Sequence, residues 1–316
     1  MRVFMGILLA LVVALAGAYF YFSEPDISRK VLEAQYASPP SAFVTLPDGA
    51  RVHYRERGPK DGPALLLLHG SNASLFTWEP WSKTLSDHFQ VVSVDLPGHG
   101  LTGAVPNGDY SQKGMAIFVR EFADAIGLQQ FALAGNSMGG GVAARFAEMY
   151  PARVTQLILV DAGGMPVGPG DRIPLGFRLL RMSWTKPILL HVTPRSLFAE
   201  GLNDAIVHKA IITDAMVDQY WRFARMEGTR EATAERFQTN EDYGYVKDHI
   251  NEIKMPTLIL WGAEDHLIPV AAASEFHRAI PNSKLVVYPA TGHIPMEEVA
   301  QQSAADVRAF LSTQTH

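Results

Sequence analysis

Six short, nearly unbroken apolar runs recur along the chain, and they constrain its fold more than any other feature. They are Ala64–Leu68, Val91–Asp95, Phe131–Ala134, Gln156–Val160, Thr257–Trp261 and Lys284–Tyr288. Runs of this length without polar alternation predict strands covered on both faces, as in a parallel sheet between two helical layers. Helical patterns over Met115–Ile126, Met138–Tyr150, Ala271–Ala279 and Glu297–Leu311 supply those layers. Ahead of the first run, Ala42–Leu46 and Val52–Glu56 flank Pro47-Asp48-Gly49, a hairpin signal. The expected class is α/β.

The rhythm stops between Gly163 and Ile253, where no strand signal appears and prolines and glycines punctuate the first part. Helical patterns remain over Asp204–Thr213 and Met216–Met226. The expected division is a core of 42–162 with 254–316, interrupted by a helical cap, 163–253, over a site. Met182, Trp184, Met216, Trp221, Phe223 and Met226 are candidates for lining an apolar pocket in that cap. For each taken singly, packing of the cap helices is the simpler role.

From Val3 to Phe22 the chain carries no charge, long enough for a bilayer-spanning helix. Arg2 precedes this run, Glu24 and Asp26 follow it, and Tyr19 and Tyr21 lie near its outer end. That asymmetry favours a membrane anchor at 1–22 with the body outside the cytoplasm, on the periplasmic or extracellular side. A cleaved signal peptide, cut after Ala14–Ala16 or Ala16–Ala18, would instead release a secreted protein, and a buried helix is a third reading. Residues 23–41, polar and proline-containing, read as a linker.

The chemistry centres on Gly135-Asn136-Ser137-Met138-Gly139. Chance supplies a G-x-S-x-G in roughly one chain in ten of this length, so context must raise it. Here the motif follows the run Phe131–Ala134 and opens a helical pattern, the strand–turn–helix setting of a nucleophile elbow. Glycines flank the serine because side chains there would clash across a sharp turn. The alternative is a glycine-rich helix start with Ser137 as an ordinary N-cap.

A serine hydroxyl needs a base beside it. Of eleven histidines, His293 lies in the loop just after the last apolar run. An acid must orient that base. Glu264, Asp265 and Asp161 all follow strand candidates; Asp265 is preferred and Asp161 is the reserve. The order serine, acid, histidine is the one expected for this architecture. An oxyanion would be met by the Met138 N–H and by one from Ser71 or Asn72, in the loop after Ala64–Leu68. His69, at the start of that loop, is expected to shape it.

The chain has no cysteine, which removes disulfides, thiolate metal sites, a cysteine nucleophile and a lipidated cysteine anchor. A formal charge of −5 without a basic patch points away from nucleic acid. There is no His-Glu-x-x-His or clear carboxylate loop, and neither metal nor cofactor is called for.

Five ordered blocks, Leu65–Gly70, Asp95–Gly100, Gly135–Gly140, Trp261–Pro269 and Gly292–His293, resemble the α/β-hydrolase superfamily and its capped lipase/esterase-like branch. The resemblance spans Phe43 to Leu311 and implies a mostly parallel eight-stranded sheet, flanking helices and a cap. A serine at the elbow argues against the dehalogenase and epoxide-hydrolase branches, which carry aspartate there. The expected activity is hydrolysis of a small-molecule carboxylic ester through an acyl-enzyme, with Ser137, Asp265 and His293 as triad. The same triad would serve carbon–carbon, amide or thioester cleavage; Ser71-Asn72-Ala73 is less glycine-rich than the turn usual in the carbon–carbon hydrolases. A non-catalytic binding protein on this fold is the alternative of another class.

Overall fold

A computed structural model describes residues 2–165, 182, 190–238 and 249–314. At its centre is one eight-stranded sheet in the order β1-β2-β4-β3-β5-β6-β7-β8. The strands are β1 (Ser41–Thr45), β2 (Arg51–Arg57), β3 (Ala64–Leu68), β4 (Gln90–Val94), β5 (Phe131–Asn136), β6 (Val154–Val160), β7 (Thr257–Gly262) and β8 (Ser283–Tyr288). β2 runs against both its neighbours, and every other pairing is parallel. The expected hairpin is present as β1–β2, its turn held by the Asp48 carboxylate accepting from Ala50 N–H at 2.9 Å.

Burial explains why the apolar runs lack alternation. Leu66 and Leu68 enter the cluster on one face of the sheet, while Leu65 and Leu67 enter the cluster on the other. Ile259 and Trp261 divide from Leu258 and Leu260 in the same way. Both side-chain sets of a central strand leave water, so both must be apolar.

Helices α1 (Arg2–Phe22), α2 (Arg29–Tyr36), α3 (Glu79–Leu85), α4 (Gln112–Ala125) and α5 (Met138–Met149) precede β6. Between β6 and β7 the described residues hold α6 (Arg195–Ala205), α7 (Asp214–Ala224) and α8 (Thr229–Gln238). After β7 come α9 (Ala271–Ala279), α10 (Pro295–Glu298) and α11 (Ala300–Leu311). α4, α5 and α9 cover one face through residues such as Val119, Val142 and Phe276. α3, α11, α6 and α7 cover the other through Trp81, Val307, Leu202 and Val217.

Three local expectations need correction. The helical pattern over Asp204–Thr213 is not one helix: the chain leaves α6 at Ile206, with φ −116° and ψ 130°. Thr213 instead caps α7, its hydroxyl accepting from Met216 N–H at 3.1 Å. The pattern over Glu297–Leu311 is broken at Val299, with φ −124° and ψ 45°, separating α10 from α11.

Residues 23–41, read as a linker, contain α2 and are fastened to the insertion. Leu32 is buried with Leu101, Phe223 and Met226. Ser23 bridges Val192 and Ile27 bridges Met226. The Arg225 guanidinium donates to the Pro25 carbonyl at 3.0 Å and pairs with Glu24 at 3.1 Å. Arg230 donates to the Glu24 carbonyl at 2.9 Å and pairs with Asp26. Low polarity is not what orders this stretch; partners supplied by the insertion do so. α1 itself stands clear, with mean hydropathy 2.2 over its most apolar window and none of that window buried.

The pocket candidates resolve largely into packing. Phe223 and Met226 are enclosed against Leu32 and Leu101, Trp221 donates its ring N–H to the Thr193 carbonyl at 2.8 Å, and Met216 packs against the cluster that holds Leu65, Leu67 and Leu202. Met182 is exposed, and Trp184 lies outside the described residues.

One partly buried contact ties α10 to the turn after β3: Thr77 Oγ1 donates to Glu297. Burial pushes the Glu297 carboxyl up to about 7. A folded-state value raised above the unfolded one stabilises below about pH 4.5 and loses that contribution as pH rises through about 7. Wild type is therefore expected to lose on the order of 2 kcal/mol relative to Glu297→Gln between pH 4.5 and pH 8. Urea unfolding of both proteins across that range checks it; parallel pH profiles would contradict it.

Candidate active site

β5 ends at Asn136 and α5 begins at Met138, which leaves Ser137 alone on the turn. Its backbone has φ 53° and ψ −120°, a conformation that costs about 1–3 kcal/mol for a residue with a side chain. The turn survives because the Ser137 carbonyl accepts from Gly140, Gly141 and Gly163 N–H at 3.0, 3.2 and 2.8 Å. A Cβ at position 135 would lie 2.1 Å from the Gly139 carbonyl oxygen, and one at 139 would lie 2.4 Å from that of Leu68. Both glycines are thus required by the close approach of backbone to backbone. The hydroxyl makes no capping bond to α5, so Ser137 does not act as an ordinary N-cap.

His293 and Asp265 meet as the spacing predicts. His293 Nδ1 lies 2.7 Å from Asp265 Oδ2, and both residues are 6 % exposed. The other Asp265 oxygen accepts from Leu267 and Ile268 N–H at 2.8 and 3.0 Å. Burial opposes its ionisation, but His293 and these two N–H groups outweigh burial and hold the carboxyl below its ordinary range. With Nδ1 engaged, Nε2 is the ring nitrogen left for a hydroxyl.

The other two acid candidates separate clearly. Glu264 is exposed. Asp161 is fully buried at φ 43°, where its Oδ1 accepts from Gly262 N–H at 2.9 Å. Ligand-type atoms of Asp161, Asp265 and His293 lie within 4.8 Å of one another. Two carboxylates so close in a dry site do not both ionise. Burial first, and Asp265 second, push Asp161 well above the ordinary carboxylate range.

Asn136 is a residue that sequence reasoning missed. Its side-chain N–H₂ donates to the carbonyls of Val160, at 3.2 Å, and His293, at 3.1 Å. The residue beside Ser137 therefore grips the backbone of His293 directly. Only its place inside the elbow motif hinted at such a role.

The loop after β3 lies against the serine. A Cβ on Gly70 would come within 3.1 Å of the Ser137 Cβ. Met138, Ser71 and Asn72 N–H groups find no acceptor among the described residues. Asn72 sits at φ 58°, and the Ser71 hydroxyl accepts from Arg236 at 2.6 Å. His69 shapes this loop as expected: Nδ1 donates to the Gly70 carbonyl at 2.7 Å and Nε2 accepts from Leu96 N–H at 3.0 Å. Burial lowers its pKa, so the ring stays neutral in that tautomer.

Comparison with known proteins gives the same outline. An uncharacterized protein of Mycobacterium tuberculosis is 29% identical over 302 residues, spanning 90% of this chain and 85% of its own. A 2-hydroxy-6-oxononadienedioate/2-hydroxy-6-oxononatrienedioate hydrolase of Burkholderia vietnamiensis is 29% identical over 278 residues, 83% of this chain and 91% of its own. Among solved structures, a membrane phospholipase A described as a bacterial virulence factor superposes with a TM-score of 0.76 at 28% identity. That match covers 99% of this chain and 98% of the phospholipase. The sequence profile of the alpha/beta hydrolase fold matches residues 63–299, from the residue before β3 to the residue after α10. The chain belongs to the alpha/beta hydrolase fold family.

Proposed function

We propose that this protein is a membrane-tethered serine hydrolase of carboxylic esters with an apolar acyl group, using Ser137, His293 and Asp265. The observation that carries this reading is the 2.7 Å His293–Asp265 contact, joined through Asn136 to a serine on a strained elbow. Ser137 Oγ gives its proton to His293 Nε2 as it attacks the ester carbonyl. The oxyanion is met by the N–H of Met138 and that of Ser71 or Asn72. Collapse expels the alcohol, which takes the proton back from His293. A water, deprotonated by the same ring, then attacks the acyl-enzyme, and His293 returns that proton to Ser137 Oγ as its bond to the acyl group breaks and the acid leaves. Asp265 stays ionised throughout and stabilises the imidazolium.

The likeness to a membrane phospholipase A over the whole chain supports an ester substrate and a membrane setting. The apolar α1, continuous with a neck fastened to the insertion, supports a tether that brings the capped side of the enzyme to the bilayer. A carbon–carbon hydrolase is the second reading, favoured by the Burkholderia vietnamiensis relative.

Turnover of medium-chain p-nitrophenyl esters, measured beside a ring-fission dienoate, separates the two. The ester is expected to turn over and the dienoate to remain; the opposite result would replace the first reading by the second. In the same preparation the full-length protein is expected to sediment with membranes and resist high-salt extraction. A soluble product beginning near Gly17 or Tyr19 would show a cleaved signal instead.

A further inference from the structure

The loop that carries His293 is joined to the insertion by a carboxylate that the acyl-transfer steps do not use. The Glu298 side chain is 0% exposed and accepts three backbone N–H bonds. Oε1 accepts from Gly292 at 2.8 Å; Oε2 accepts from Val207 at 2.8 Å and His208 at 2.9 Å. The His293 N–H itself donates to the carbonyl of Ala205, the last residue of α6, at 2.7 Å. Two successive N–H groups of the base loop are thus held from the insertion side, one through Glu298 and one directly. Position 292 must be glycine for this: a Cβ there would lie 2.3 Å from the Ala205 oxygen and 2.8 Å from Glu298 Oε1. Asn136 separately holds the carbonyl of His293, at 3.1 Å.

A buried carboxylate accepting three N–H bonds is a strong joint, because each bond is charge-assisted and removing the acceptor strands three donors away from water. It also explains why α6 stops where it does, since Val207 and His208 donate to Glu298 rather than to α6. We propose that Glu298 is a positioning residue, acting through Gly292 and His293, which makes the setting of the imidazole depend on the seating of the insertion. This rests on His293 being the base. A shift of the C-terminal end of α6 away from the sheet pulls on the His293 N–H and moves the ring relative to Ser137. A displacement of about 1 Å in such a group costs up to about 100-fold in rate.

The test compares wild type, Glu298→Gln, His208→Pro and His208→Ala. Glutamine keeps the volume of Glu298 but turns one acceptor into a donor facing an N–H. Proline fits the His208 φ of −76° and removes one of the three donors, whereas alanine keeps it. In Glu298→Gln, hydrogen exchange is expected to speed up together in peptides covering 205–208 and 292–294. Ester kcat falls about 10- to 100-fold with KM within about threefold, and serine-directed phosphonate labelling slows in proportion. Both His208 variants lose the imidazole that lies 3.5 Å from Glu298 Oε2, so the backbone donor is read from their difference: His208→Pro moves exchange and kcat in the same direction as Glu298→Gln by less, and clearly further than His208→Ala does. Exchange rising in one segment alone, or in both without loss of kcat, would overturn the proposal. If wild type took no phosphonate, His293 as base would fail, while exchange would still decide whether Glu298 couples the two segments.

Discussion

Ser137→Ala is expected to lower kcat on a p-nitrophenyl ester by a factor on the order of 10⁵ or more while leaving stability within about 1 kcal/mol of wild type. The two halves of that expectation have separate causes. The hydroxyl makes no bond to α5, so removing it strands no partner there. The strained backbone is held by the Ser137 carbonyl and by three N–H groups, all of which alanine retains. What alanine lacks is the atom that forms the acyl-enzyme, and the residual rate is what oxyanion donors and binding alone supply. Steady-state kinetics and thermal unfolding of the same preparation check both halves. A loss of activity that merely followed a loss of structure would count against the assignment.

Asp265→Asn is expected to lower kcat by about 10⁴, whereas Asp161→Asn changes it by less than about tenfold. The pair is informative because the two carboxyls are neighbours that differ in charge. Asp265 is held ionised by His293 and by the N–H groups of Leu267 and Ile268. Asp161 accepts from the Gly262 N–H, and burial first and Asp265 second push its carboxyl well above the ordinary carboxylate range. An asparagine at 265 can no longer stabilise the imidazolium and can present the wrong group to Nδ1. At 161 an amide replaces an acid that was already uncharged, and its oxygen still accepts from Gly262. Equal losses in both variants would mean that the two residues share the role, and a larger loss at 161 would reverse the assignment.

How much of this was legible in the sequence depends on how local each cause is. The strands were readable because a run such as Leu65–Leu68 sends side chains to both buried faces, and no polar residue can interrupt it. The elbow was readable because Gly135 must clear the Gly139 carbonyl within the same five residues, although Gly139 itself answers to the distant Leu68 carbonyl of β3. Asp265 and His293 were readable as residues following strand ends. The break after α6 was not, because the N–H groups of Val207 and His208 are taken by a carboxylate about ninety residues away in sequence. The order in residues 23–41 was equally hidden: Arg225 and Arg230 are some two hundred residues away, and one leucine, Leu32, carries the burial of α2. Asn136 and Glu298 hold backbone rather than side chains, and such roles leave no periodicity or spacing in a sequence.

Mass mapping of a serine-directed phosphonate adduct tests the central assignment most directly. The expected result is a single adduct on the peptide containing Ser137, formed by wild type, absent from Ser137→Ala and much slower in Asp265→Asn. An adduct on any other serine, or undiminished labelling of Ser137→Ala, would contradict it.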